Sequence, residues 1–320
     1  MISMMRRMTA RPEAVSLIRP SLDDLMALSQ PAARLKLAHP AALRALQSGQ
    51  YLARFKGRGM EYDETRPYAP GDDVRSLDWR VTARTGKAHT KLYREERERP
   101  VFLCVDYRAG MFFATRGVYK STLAARLAAL IAWSAHRHGD RIGGQILSEA
   151  GSTELKPEHG RAAVLRLLMA LADRAEPTTG MDADLALTDA LVRLPRHAKP
   201  GSLVFVFSDF RQLDETGQAA LGRLARHCDC VLTLLYDPLE QQLPPGRHRY
   251  EIGGRDLVID ADRRAIQEHA RRFEARLESV RSLARRHGMQ FMTCSTLDDP
   301  LTILQQGRSG SLRGFGQRRT

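Results

Sequence analysis

VFLCVD, residues 101–106, is a run of five apolar residues that ends on a carboxylate. A strand buried on both faces reads as a continuous apolar run, and open parallel sheets bind ligands beyond the carboxyl ends of their strands. The stretch therefore predicts a central parallel strand that delivers Asp106 to a sheet rim. SLVFVFSDF, residues 202–210, repeats the pattern and delivers Asp209 to the same rim. What neutralises two carboxylates at one edge becomes the question for the rest of the chain.

Strand and helix patterns alternate on either side of these two runs. VYKSTLAARLAALIAWSAHRHG (118–139) has helical periodicity and stops at Gly139, a residue suited to a left-handed helix end. RIGGQIL (141–147) reads as a strand, followed by helices at about 158–174 and 184–194. QAALGRLARH (218–227) is a helix and CVLTLLYDP (230–238) a third buried strand. LPPGRHRY and DLVID make a hairpin, a basic helix spans 262–287, and MQFMTC with DDPLTILQQ closes the unit. Continuous apolar strands alternating with helices give an α/β fold: a doubly wound, mostly parallel sheet flanked by helices, preceded by a helical and extended arm. The expected division is a disordered segment at 1–19, short helices over 20–56, an arm at 57–100 packing on the core, the α/β domain at 101–306 and a flexible basic tail at 307–320.

At 320 residues and 43% hydrophobic content the chain can bury one large core. It has no run of 18 apolar residues and no apolar signal segment, so no membrane span is expected. The four cysteines lie in or beside apolar runs and read as buried reduced thiols, which points to the cytoplasm. Cys228-Asp-Cys230 has the wrong spacing for zinc. The net charge of +13 suits nucleic acid, an anionic membrane surface or an acidic protein. Aromatics are only 6% of the chain, too few to interleave with the arginines as single-strand binders do, so nucleic-acid binding is the second reading.

Residues 57–100 are charged and glycine-punctuated yet retain Tyr62, Tyr68, Trp79 and Tyr93. The expectation is a turn at Pro70-Gly71, a short helix capped by Asp72 or Asp73, and a strand near 88–94. Trp79 would anchor the arm on the core, and Arg66, Arg75 and Arg84 would pair with acids. Asp72, Asp73, Asp78 and His89 could instead serve acid–base chemistry, or the segment could be a partner surface, since tryptophan and arginine are enriched in interface hot spots.

Read in order, RPYAPGDDVRSLDWRVTART (66–85), YREERERP (93–100), the strand to Asp106, Lys120, HGDRIGG (138–144) and FVFSDF (205–210) resemble the domain-of-unknown-function 58 family. These are bacterial proteins with a von Willebrand factor type A-like core. The resemblance implies a non-enzymatic adaptor that works beside a MoxR-type AAA+ ATPase to assemble or mature a client protein, whose identity the sequence does not give. It marks Arg66, Tyr68, Pro70, Gly71, Asp72, Asp73, Arg75, Asp78 and Trp79 as a signature surface. In von Willebrand type A domains an Asp-x-Ser-x-Ser loop, a threonine and a further aspartate collect a divalent ion. Here the two serine positions are Arg108 and Gly110, and the Asp-Leu before the helix favours Ala183 as the aligned threonine position, with Thr178 and Thr179 close by as alternatives. Only Asp106 and Asp209 remain, and two unsupported carboxylates hold Mg²⁺ weakly because the ion demands near-octahedral oxygen geometry. The expectation is a degenerate site with no cofactor, in which Arg108 stands in for the ion. Were Mg²⁺ to bind, Asp106 and Asp209 would hold it.

Overall fold

The computed structural model describes residues 17–35, 60–69, 72, 74–95, 100–175, 183–252 and 255–306. The chain forms two compact units, residues 1–38 with 99–320, and residues 39–98. Residues 1–16 of the segment expected to be disordered, the basic tail, the helix expected after Pro40, and Pro70, Gly71 and Asp73 lie outside the described residues, whereas 17–19 are described and the Tyr119 N–H donates to the Leu17 carbonyl.

The larger unit begins with two short helices, α1 (Leu22–Ala27) and α2 (Ser29–Ala32). Ser21 caps α1 reciprocally: its Oγ accepts the Asp24 N–H, and the Asp24 carboxylate accepts the Ser21 N–H. The smaller unit is a hairpin of β1 (Met60–Pro67) and β2 (His89–Glu95), which enclose a 3₁₀ turn and helix α3 (Trp79–Thr85). Here the sequence expectation is corrected on two points. The cap of α3 is Asp78, whose carboxylate accepts the Arg80 and Val81 N–H groups, because Asp72 is already committed to a turn further upstream. Trp79, expected as an anchor, is 71% exposed, since the first helical residue after that cap points its side chain to solvent.

The remaining elements follow as β3 (Val101–Asp106), α4 (Lys120–Arg137), β4 (Ile142–Ser148), β5 (Gly151–Glu158), α5 (Gly160–Asp173), α6 (Ala183–His197), β6 (Leu203–Ser208), α7 (Glu215–Leu224), β7 (Asp229–Tyr236), α8 (Pro238–Gln241), β8 (Gly246–Ile252), β9 (Arg255–Ala261), α9 (Arg263–Arg286), β10 (Gln290–Ser295) and α10 (Pro300–Gln306). One sheet has the order β5-β4-β3-β6-β7-β10, parallel throughout except for β5 at the edge. Its strands run 3-2-1-4-5-6 from the first, so the order reverses between β3 and β6. That switch point is where Asp106 and Asp209 leave the sheet.

Alternation along β3 assigns the two faces. Val101, Leu103 and Val105 join one core with Leu123, Leu127 and Ile131 of α4 and with α1, α2 and α5, while Phe102 and Cys104 join the other with α6, α7 and α9. The α4 surface is closed by the amino-terminal helices: the Trp133 indole N–H donates to the Leu25 carbonyl at 3.1 Å and Ser134 Oγ to the Leu35 carbonyl at 2.9 Å. Strand β5 is the element the sequence reading lacked. As an edge strand its residues alternate between exposed and half-buried, so GSTELKPE carries no apolar run to announce it. All four cysteines are free and buried.

Candidate functional site

Strand β3 ends on Asp106, which is fully buried. Two residues later the chain turns back on it. The Arg108 N–H donates to Asp106 Oδ1 at 2.9 Å, its Nε lies 3.1 Å from both carboxylate oxygens, and its Nη2 is 2.8 Å from Oδ2. The same Nη2 reaches Asp209 Oδ1 at 3.5 Å, and Nη1 donates to the Arg211 carbonyl at 3.2 Å. Ser208, the last residue of β6, donates to Asp106 Oδ2 at 2.5 Å and accepts the Phe210 N–H at 2.9 Å. A single guanidinium therefore lies between the two rim aspartates.

Asp209 has a second cation. Lys120, the first residue of α4, is fully buried; its Nζ lies 3.0 Å from Asp209 Oδ2 and 2.6 Å from Glu240 Oε1. A lysine at the positive end of a helix dipole is unfavourable by itself, so these two carboxylates are what hold it there. Glu240 also receives Arg211 Nη2 at 2.8 Å and lies 3.7 Å from Arg276 Nη2. Asp237 caps α8 and accepts both the backbone N–H and the hydroxyl of Thr115, at 2.8 and 2.6 Å. Glu149, in the β4–β5 turn, accepts the Ala109 N–H at 2.5 Å. Around Asp106, Asp209 and Glu240 buried carboxylates thus alternate with cations, while Asp237 and Glu149 accept from neutral N–H and hydroxyl donors.

The electrostatics follow from that alternation. Burial alone would push the Asp209 carboxyl up, but the Lys120 ammonium, then the Arg108 guanidinium and the Arg211 N–H hold it well below the ordinary range. Burial opposes the charge on Arg108, and the adjoining Asp106 carboxylate more than restores it, raising that guanidinium. At an effective dielectric of about 20, opposite charges 4 Å apart attract by about 4 kcal/mol, which offsets the cost of taking these ions out of water.

Gly110 sits in the 3₁₀ turn after Arg108. A Cβ there would lie 3.1 Å from Asp209 Oδ2, so the absence of a side chain lets the turn close over the carboxylate. Ala183 opens α6; its side chain, and residues 178 and 179 nearby, lie outside the described residues. The donor set does not fit Mg²⁺. Every oxygen of Asp106 and Asp209 already faces a fixed cation or a hydroxyl, Gly110 supplies none, and the ion needs about six oxygens in octahedral array. Among the described residues no group of three or more histidine, cysteine, aspartate or glutamate side chains is arranged for a metal.

The signature segment is organised around two aspartates of its own. Asp72 accepts Arg66 Nη2 at 2.8 Å and the Ala69 N–H at 3.0 Å, and its carbonyl accepts the Tyr68 hydroxyl at 3.3 Å. Asp78 caps α3, and Arg75 lies exposed in the 3₁₀ turn. Trp79 and Val74, 71% and 62% exposed, face water.

Several rim residues escaped the sequence reading. Asp237-Pro238-Leu239-Glu240 is a capping box whose spacing announces a helix start, and Lys120, though among the residues that carry the family resemblance, opens α4 with no local sign of its carboxylate partners. Glu149, Arg211 and Arg276 carry no local signal, because Ala109 and Glu240, which they meet, come from segments far along the chain.

A family model described as a protein of unknown function, DUF58, matches residues 64–278. An uncharacterized protein of Mycobacterium tuberculosis, Rv1480, is 30% identical over 254 residues, which is 79% of this chain and 76% of that one. Among solved structures, an aerotolerance-related membrane protein from Bacteroides fragilis aligns over 65% of this chain and 96% of its own, at 12% identity and a TM-score of 0.38. A von Willebrand factor type A protein from Catenulispora acidiphila aligns over 69% and 42%, at 12% identity and a TM-score of 0.33. The cytoplasmic location expected from the sequence is corrected by these findings, since a solved neighbour is described as a membrane protein. That expectation rested on reduced thiols and the lack of an apolar run. No helix among the described residues is long and apolar enough to cross a membrane, but other modes of attachment need no such helix.

Proposed function

The chain belongs to the DUF58 family, and from that membership we propose that it is a non-catalytic adaptor that binds other proteins through its signature segment, with a MoxR-type AAA+ ATPase as partner. The observation that carries this reading is the exposure of Trp79 and Val74 within five residues of each other, beside exposed Arg75 and Arg80. Large apolar side chains flanked by arginine are the make-up of an interface hot spot. Asp72 and Asp78, the segment's buried acids, are spent on its own turn and helix cap, which leaves the tryptophan to the partner.

The rim supports a role without chemistry. A general base or nucleophile needs an unengaged group in a cleft, whereas Asp106, Asp209 and Lys120 are buried and mutually neutralised. The rim works as a degenerate adhesion site in which Arg108 replaces the ion, and no cofactor is required.

The test is affinity purification of the full chain from its native host, with and without ATP. A MoxR-type ATPase should co-purify, and Trp79→Ala should lower its recovery at least about tenfold with the melting temperature unchanged. Equal recovery by Trp79→Ala would remove the signature surface from the proposal. Micromolar Mg²⁺ or Mn²⁺ binding in a calorimeter, abolished by Asp106→Ala, would remove the ion-free rim.

A further inference from the structure

The parallel strands of the sheet all point one way, and α4, α6, α7 and α9 return the other way. Their carboxyl ends therefore gather at the amino edge of the sheet, opposite the aspartate rim. The gathering is direct: the Gly201 N–H donates to the His227 carbonyl at 2.7 Å, tying the turn after α6 to the turn after α7. Gly222 of α7 lies so close to His287, after α9, that a Cβ would fall 2.7 Å from its ring. Antiparallel β5 ends at this edge too, so α5 begins there.

Fixed cations crowd this edge. Arg196, Lys199, Arg223, Arg226 and Arg286 are exposed in one helix layer, and Arg137 and Arg161 in the other. None makes an ion pair with a described residue; Arg137 donates only to the Ser29 carbonyl. Helix ends favour basic residues, because each carries about half a negative charge. Four such ends offset about two of these seven cations, the amino end of α5 adds about half a charge back, and half-buried Asp140 and Asp229 contribute two negative charges at the same edge, which leaves an excess of about three to four. The dipoles therefore do not account for the patch.

We propose that this amino edge docks the protein on an anionic lipid surface. The cations span both helix layers and so form a face rather than a line. A planar leaflet of anionic headgroups engages all of them together, each basic residue close to the surface adding to the attraction. A duplex is a cylinder that meets a face along a line, and none of the described helices of the larger unit projects beyond this edge to enter a groove. Of the large apolar residues exposed among the described residues of the larger unit, only Val192 lies toward this end, so within that unit the patch lacks the apolar centre of a stable protein interface and the aromatics of a single-strand platform. Docked this way, the aspartate rim faces away from the lipid. The proposal stands independently of the adaptor reading.

The experiment is co-sedimentation of the full chain with vesicles of phosphatidylcholine alone and of phosphatidylcholine with phosphatidylglycerol, at low and at physiological salt. Binding is expected only to the anionic vesicles and weaker at the higher salt. Arg223→Glu/Arg226→Glu/Arg286→Glu should weaken it by about tenfold or more. Arg263→Glu/Arg264→Glu/Arg271→Glu, which changes net charge equally toward the other end of α9, should leave it within about twofold. Absence of binding to anionic vesicles overturns the proposal, as does equal loss in both triple variants. So does tighter binding of a duplex oligonucleotide than of vesicles at the same salt.

Discussion

The two edges of the six-stranded sheet treat charge in opposite ways. At the carboxyl edge Asp106, Asp209, Lys120 and Glu240 are shielded from water, and each sits within 3.0 Å of an opposite charge. At the amino edge Arg223, Arg226 and Arg286 are exposed and pair with no described acid. The difference is one of solvent. An ion removed from water costs several kcal/mol unless a partner replaces its hydration, so a buried charge dictates its neighbours. An exposed arginine is hydrated and screened, and the fold places no demand on it. Charge at the first edge is therefore architecture, and charge at the second is available to a partner.

The sharpest way to break this contrast is Lys120→Met, which keeps the length of the side chain and takes from Asp209 and Glu240 the buried cation they share, leaving each only its arginine contacts. A loss of about 3–5 kcal/mol is expected in equilibrium urea denaturation, the cost of leaving buried charges uncompensated. Adding Asp209→Asn should recover part of it, because the two sites share one network. A loss below about 1 kcal/mol for Lys120→Met would mean that water already hydrates the rim and that the two edges are alike.

Acid probes the same network without mutation. The Asp209 carboxyl is depressed in the folded protein and ordinary, near 3.9, in the unfolded chain. Its contribution is therefore complete above about pH 4 and declines as the pH falls below that toward the folded value. Asp237, held low against burial by the hydroxyl and N–H of Thr115, adds to the loss over the same window. The urea midpoint should fall between pH 5 and pH 3, and Asp209→Asn should flatten the slope. Arg223→Ala should leave the slope unchanged, because Arg223 is exposed and pairs with no described acid.

Gly110→Ala comes next in size. The new Cβ would press on Asp209 Oδ2 from 3.1 Å, and Lys120 and Arg108 prevent the carboxylate from yielding. About 1–3 kcal/mol of destabilisation is expected by thermal melting, the range for overpacking a filled site.

Legibility in the sequence followed the same divide between local and long-range causes. Strands β3, β6 and β7 were readable because burial on both faces writes a continuous apolar run, and their shared direction placed Asp106 and Asp209 on one rim. Strand β5 was not, since an edge strand needs no such run. Helix α3 was readable but its cap was not: Asp72, Asp73 and Asp78 all suit a helix start, and only the tertiary use of Asp72 by Arg66 and the Ala69 N–H decides for Asp78. Lys120 and Glu240 are separated by 120 residues, so nothing local in either segment reveals that they meet. The amino edge escaped for another reason. Its arginines are spread along the chain, and only the return direction of the helices collects them.

The smallest expected effect sharpens the comparison most. Arg223→Ala/Arg226→Ala removes two charges from the end of α7 and should change the unfolding free energy by less than about 0.5 kcal/mol. Two small opposing terms produce that near-silence. Losing Arg223 in the last turn forfeits some favourable interaction with the helix dipole, about 0.3–1 kcal/mol at low salt. Relieving repulsion among the crowded cations of the edge returns a similar amount, since like charges within a Debye length of about 10 Å still interact. Raising the salt screens both terms, so the difference between variant and native protein should shrink further. The same substitutions would be ruinous were these arginines paired as Lys120 is. A stability loss above about 2 kcal/mol would show that buried acids depend on them, and the charge of the amino edge would then belong to the architecture as well.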